Sequence, residues 1–242
     1  MAKKQRLDQL LVERGLFESR AKAQAAIMAG QVVVDGEKRT KAGVATPTEA
    51  RIELLKASRF VSRGGLKLEA ALAAFPVTVE GRVCLDVGAS TGGFTDCLLQ
   101  RGAAKVYAVD VGTAQLDAKL RADPRVVSRE QTHARALRPE QFDPKPDLLV
   151  MDVSFISAVQ ALPPALPCLA KPYDALVLVK PQFEVGPKLA PKGVVRDPAA
   201  RQAAVDKVRA ALPALGCAEA GVLECPVHGP KGNVEYFLWL KG

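Results

Sequence analysis

The chain has 242 residues, 34 of them Lys or Arg and 26 Asp or Glu, for a formal net charge of +8; that length suits one packed core of ~150–200 residues with a small appendage. No run approaches the ~18–20 apolar residues that span a bilayer, and the start MAKKQRLDQLL lacks the apolar stretch and small-residue cleavage site of a secretory signal, so a soluble cytoplasmic protein without a membrane segment is expected. Five cysteines without a C-x2-C pair, and two histidines, His133 and His228, argue against a disulfide frame, a His-built metal site and a Ser-His-Asp triad; no metal is expected.

The first sixty residues carry 12 Lys/Arg against 7 Asp/Glu, and a basic head of this kind suits a polyanion, because Lys and Arg gain affinity by displacing counterions from phosphates. Arg6–Arg14 places Leu7, Leu10 and Leu11 on one face and stops at Gly15. Ser19 then caps a second helix, Arg20–Ala29, closed by Gly30. Val32–Val34, the turn pair Asp35-Gly36 and a return over Lys38–Lys41 read as a hairpin.

The stretch RLDQLLVERGLFESRAKAQAAIMAGQVVVDG resembles the alpha-L RNA-binding motif of a small-subunit ribosomal protein, pseudouridine synthases and tyrosyl-tRNA synthetases. The resemblance implies a small α+β RNA-binding domain over residues 1–58, with Arg6, Arg20, Lys22 and Lys38 as phosphate contacts.

Residues 59–242 form the second expected domain. In SRGGLKLEAALAAF, Leu68, Ala71, Leu72 and Phe75 make the buried stripe of a helix, and Lys67 sits about 90° from its centre, at the border of the core. From Val83 onward the apolar runs VCLDVG, KVYAVDVG, DLLVMDVS and ALVLVKPQF alternate with helical patterns, which predicts an α/β, Rossmann-like doubly wound, mostly parallel sheet. HGPKGN is too short for a crossover helix, so the last two strands, GVLECPV and VEYFLWLKG, are expected to be antiparallel neighbours.

LDVGASTGGFT follows the first of these strands and opens a helix, and Asp110 ends the next strand 22 residues after Gly88, where it can accept from ribose hydroxyls. The loop reads D-x-G-x-S-x-G-G rather than G-x-G-x-x-G. With Asp86 before the first glycine and Ser90 in place of a dehydrogenase glycine, it leans toward S-adenosylmethionine over a dinucleotide. Gly88, Ser90, Gly92, Gly93 and Asp110 are the cofactor candidates, with Asp86 near the cationic end of the ligand and Thr132 as a guess for the adenine contact.

The acceptor must be read from the far strand ends. Asp152-Val153-Ser154-Phe155 departs from the D/N-P-P-Y/F/W of exocyclic amine methylation, and Cys168, well past the strand in DLLVMDVS, reads as a core thiol rather than the nucleophile of base-carbon methylation. Asp152 and Lys180 close the strands in DLLVMDVS and ALVLVKPQF. Glu235 begins the antiparallel last strand, so all three converge on the edge that carries the ligand loop.

Lys67, Asp152, Lys180 and Glu235 in this order resemble the K-D-K-E tetrad of FtsJ-type ribose 2'-O-methyltransferases. SRGGLKL, CLDVGASTGGFT, DVSFIS, LVKPQFEVG and GNVEYFLWLK, with the basic head, resemble almost end to end the TlyA family of ribosomal RNA methyltransferases, historically filed as haemolysins. The resemblance implies S-adenosylmethionine as cofactor, ribosomal RNA or ribosomal subunits as partner, a cytidine ribose as acceptor and the tetrad as the catalytic set. Lys180 is then the expected base, a role that requires desolvation and Lys67 to lower its pKa from about 10.4 against the opposing pull of Asp152 and Glu235, which are expected to orient the lysines and the hydroxyl. A methyltransferase acting on an RNA base and a cytolysin are the alternatives, and residues 184–196 are a candidate lid.

Overall fold

A computed structural model of the chain describes residues 3–28, 30–55 and 59–242. They form two compact units, Met1–Ser58 and Arg59–Gly242.

In the first unit β1 (Lys4–Arg6) leads into α1 (Leu7–Glu13), followed by α2 (Arg20–Met28), β2 (Val32–Val34), β3 (Glu37–Arg39), β4 (Ala45–Pro47) and β5 (Ile52–Leu54). Leu7, Leu10 and Leu11 are buried, and the Ser19 hydroxyl accepts the Lys22 N–H at 3.3 Å, as an N-cap does. The expected end of α2 at Ala29 lies outside the described residues. The hairpin forms with Val34 opposite Glu37 and Val32 opposite Arg39, so its return strand starts one residue earlier than predicted. Two pairings escaped the sequence reading. β1 pairs antiparallel with β4, and β5 flanks β2; strands of three residues are too short to give an alternation to read.

The second unit opens with α3 (Gly64–Ala74) and continues through β6 (Val83–Val87), α4 (Gly93–Gln100), β7 (Lys105–Val109), α5 (Ala118–Arg121), β8 (Val126–Arg129), β9 (Leu148–Met151), α6 (Ala158–Ala165), β10 (Asp174–Val179), α7 (Pro181–Glu184), α8 (Pro198–Ala211), β11 (Ala218–Glu224) and β12 (Tyr236–Lys241). The seven strands lie in the order β11-β12-β10-β9-β6-β7-β8, with β12 antiparallel to both its neighbours and the remaining pairs parallel.

Each central strand is buried on both faces, as a parallel sheet between two helical layers must be. Along β9, Leu149 and Met151 join the core that includes α6, whereas Leu148 and Val150 join the core that includes Leu68 of α3 and Phe94 of α4. The period of two sorts the polar strand ends by face as well. Asp152 has the parity of Val150, Lys180 that of Leu178 and Glu235 that of Phe237, all three core members on the α3/α4 side. The three residues therefore emerge on the side from which α3 can deliver Lys67.

Candidate active site

Gly88, Ser90 and Gly92 all take left-handed backbone, with φ of +89°, +48° and +95°. At Gly92 a Cβ would also stand 2.2 Å from Leu120 Cδ1 and 2.8 Å from Leu116 Cδ1, so glycine there lets the loop lie directly on the segment after β7. The loop is bonded to the neighbouring strand: Gly88 and Ala89 donate to the Val109 carbonyl, and the Ser90 N–H donates to Asp110 Oδ2 at 2.8 Å. Asp110 Oδ1 takes the Gly112 N–H at 2.7 Å.

Around this loop lie two adjoining cavities. The first, about 460 Å³, is walled by Gly88, Asp110, Val111, Thr132 and His133. The second, about 450 Å³, is walled by Gly64, Lys67, Gly93, Asp152 and Lys180. Gly88, Ser90, Asp152 and Ser154 belong to both.

At the second cavity the tetrad candidates meet as two ion pairs. Lys67 Nζ lies 2.5 Å from Glu235 Oε2, with the lysine 7 % and the glutamate 0 % exposed. Lys180 Nζ lies 2.6 Å from Asp152 Oδ1 and donates to Ser154 Oγ at 2.8 Å. The register explains the juxtaposition: β10 pairs Val179 with Tyr236 of β12, so Lys180 and Glu235, one residue beyond, leave the sheet at one edge. Glu235 stands behind Lys67 and does not line the cavity. Burying charges is costly unless they are paired, and each ion here has its counterion. Lys67 is thus not a solvated flank residue.

Two placements differ from expectation. Asp86 walls neither cavity: it is fully buried, with its Oδ2 accepting the Thr95 hydroxyl at 2.6 Å. Burial pushes its carboxyl up to about 7, against the pull of Thr95 and with Asp152 and Asp110 adding to the rise. Gly92 also stays out of both walls, because its outer side is closed by the two leucines.

In the first unit, Arg6 and Arg20 converge on one acceptor. Arg6 Nε and an Nη donate to Asp8 at 3.1 and 3.0 Å, and Arg20 Nε does so at 2.9 Å, while Asp8 itself is 0 % exposed and both guanidinium groups are half-exposed. Lys22 pairs with Glu18 one turn earlier, and the Lys38 stem folds over Gly30. All four candidates carry accessible charge, but Arg6 and Arg20 alone share an anchor among them.

An FtsJ-like methyltransferase family model matches residues 60–242, and an S4 domain model matches residues 5–45. The chain belongs to the FtsJ-like methyltransferase family, in its TlyA group. It is 48 % identical over 244 residues to the 16S/23S rRNA (cytidine-2'-O)-methyltransferase TlyA of Mycobacterium tuberculosis strain H37Rv, covering 100 % of this chain and 91 % of the relative. It is 43 % identical over 233 residues to Hemolysin A of Brachyspira hyodysenteriae, covering 96 % and 97 % of the two chains. A solved Streptococcus thermophilus structure described as a hemolysin is 42 % identical, with a TM-score of 0.76 over 100 % of this chain and 89 % of that one.

For this FtsJ-like enzyme the structure adds residues that no motif disclosed. Glu130 accepts the backbone N–H groups of Ala114, Gln115 and Leu116 at 2.6, 2.9 and 3.1 Å, bonds that hold its carboxyl below the usual range and seat Leu116 beneath Gly92. Glu184, buried at the end of α7, accepts the Ser157 hydroxyl at 2.5 Å and the Ala158 N–H at 2.6 Å, which ties the segment after Asp152 to the segment after Lys180. Phe155, on the first of these segments, has φ +63°, is 92 % exposed and has its ring 5.3 Å from that of Phe183. A carboxylate that bonds backbone N–H groups has no fixed sequence partner, so nothing in the chain order announces Glu130 or Glu184. The candidate lid is tied down: Asn233 Nδ2 donates to the Gly193 carbonyl at 2.8 Å, and Asn233 Oδ1 accepts the Val195 N–H at 3.1 Å.

Proposed function

We propose that this methyltransferase transfers a methyl group to a ribose 2'-hydroxyl of ribosomal RNA, a cytidine as in its Mycobacterium tuberculosis relative. The observation that carries the reading is the pair of lysine–carboxylate contacts beside the glycine loop, Lys67–Glu235 and Lys180–Asp152. The residues present suit S-adenosylmethionine, which supplies the methyl group when bound. Asp110 can take ribose hydroxyls, Val109, Val111 and Ile156 offer an apolar wall, and the backbone of Gly88 and Ser90 lies open to the cavity.

A 2'-hydroxyl is a weak nucleophile until its proton has somewhere to go, so the chain must supply alignment and a base. Lys180 is that base. It faces the cavity, whereas Glu235 is shielded behind Lys67. To accept the hydroxyl proton Lys180 must first be a neutral amine, its own proton leaving to solvent through the cavity it lines, while Asp152, 2.6 Å away, balances its charge. Lys67, neutralised by Glu235, is left to orient the acceptor oxygen. The first unit grips phosphates and RNA shape through Arg6, Arg20, Lys22 and Lys38, and the target nucleotide leaves its stack to bring its ribose to the sheet edge.

Methylation of a base carbon finds less support. The Cys168 thiol is buried, lies 3.3 Å from the Pro164 carbonyl and is pushed up to about 11 by desolvation, the reverse of an activated nucleophile. The decisive experiment is Lys180→Ala assayed on ribosomal subunits at saturating cofactor. A loss of ~10²–10⁴-fold in turnover is expected, with the wild-type mark mapping to ribose by its resistance to alkaline cleavage; near-normal turnover, or a mark on the base, overturns the reading.

A further inference from the structure

Lys180 Nζ has two close neighbours, and they do different things. Asp152 Oδ1 is 2.6 Å away but lies off the line a hydrogen bond requires, so it supplies charge without direction. Among the described residues, the directed hydrogen bond from Nζ goes to Ser154 Oγ at 2.8 Å.

Direction matters for a lysine acting as base. A neutral amine carries two N–H bonds and one lone pair, and it turns about its Cε–Nζ bond between staggered positions. A carboxylate beside it leaves that rotor free. One N–H fixed on an acceptor leaves two of the three positions for the remaining N–H and the lone pair, and keeps the lone pair from pointing at the acceptor. Ser154 stands two residues after Asp152, belongs to both cavity walls and meets a lysine that lines the second. Its own hydroxyl hydrogen stays free to turn toward a ligand.

We propose that Ser154 is a positioning residue that aims the Lys180 lone pair into the second cavity, toward the acceptor hydroxyl. The proposal rests on Lys180 being the base. It assigns the pair of neighbours separate tasks: Asp152 balances the charge of Lys180, and Ser154 sets its orientation.

The test compares Ser154→Ala, Ser154→Thr, Lys180→Ala and the double variant Ser154→Ala/Lys180→Ala in the full chain, with kcat and both KM values measured for methyl transfer to ribosomal subunits. Ser154→Ala should lower kcat about tenfold, the loss of one net hydrogen bond in the transition state. The loss should be the same at pH 7 and on the alkaline plateau, with cofactor KM changed less than about twofold. Ser154→Thr, which keeps the hydroxyl, should restore most of the rate. In the Lys180→Ala background the serine change should add nothing, because a residue acting through Lys180 has nothing left to act on. Wild-type kcat in Ser154→Ala, a loss seen only in cofactor KM, a loss that vanishes on the alkaline plateau, or a further tenfold loss in the double variant would each overturn the proposal while leaving an inactive Lys180→Ala to support the base. Near-normal turnover in Lys180→Ala would remove both.

Discussion

Asp8 and Asp86 are both completely buried, one in each unit, and their surroundings drive them in opposite directions. Asp8 is met by Arg6, Arg20 and Gln24, and the Arg6 hydrogen bonds above all hold its carboxyl well below the usual range. Asp86 is met by Thr95 alone, keeps Oδ1 without a hydrogen bond among the described residues, and is pushed up to about 7 chiefly by desolvation. Burial by itself therefore does not decide the charge of a carboxylate; the donors that accompany it do. In the RNA-binding unit the ionised acid organises two half-exposed guanidinium groups into one fixed patch. In the methyltransferase unit the acid behind the loop tends to neutrality, while Asp110 and Asp152 line the first cavity.

The largest way to disturb this contrast is Asp8→Ala, which takes from Arg6, Arg20 and Gln24 the acceptor they share. The first unit should lose about 2 kcal/mol in denaturant unfolding, and affinity for ribosomal RNA should fall, while kcat at saturating RNA stays within twofold. Glu130→Ala should have a more local effect: with Ala114–Leu116 released, cofactor KM rises by about tenfold and kcat at saturation changes little, measured by steady-state kinetics. Smallest of all should be Asp86→Asn, which replaces a group already near neutrality. Because the folded Asp86 holds its proton to about pH 7 and the unfolded one only to about 3.9, the native state binds more protons between those values. Its contribution to stability therefore declines as pH rises through that window. Asp8 behaves the other way: its contribution is present above about pH 4 and is lost on acidification. Melting curves from pH 2 to 8 should show the decline between about pH 4 and 7 flattened in Asp86→Asn, and the loss below about pH 4 reduced in Asp8→Ala.

Much of this was written in the chain order. Strands buried on both faces read as unbroken apolar runs, so VCLDV, LLVM and DALVLV announced themselves, and the parity of Asp152, Lys180 and Glu235 followed from them. Lys67 could be placed at the border of α3 but not paired, since its partner is 168 residues away. The edge strand β8, VVSR, was missed because its residues are only partly buried and offer neither an apolar run nor alternation. The burial of Asp86 was not legible for a related reason: a strand pattern gives the face of a residue, not whether the loop after it will close over it. Hemolysin A names a different activity for one relative; no described helix of this chain is long and apolar enough to cross a membrane.

Gly88 carries a consequence for how such an enzyme can vary. A Cβ there would stand 2.5 Å from the Asp152 carbonyl oxygen, so the single hydrogen of this residue acts as a spacer gauge between the loop facing the cofactor cavity and the strand end holding the charge partner of Lys180. Any larger side chain would force the two apart, which makes the distance between this loop and the Asp152 strand end a property of one backbone contact. Drift in that distance is open to the chain only through changes made on both sides of the contact at once.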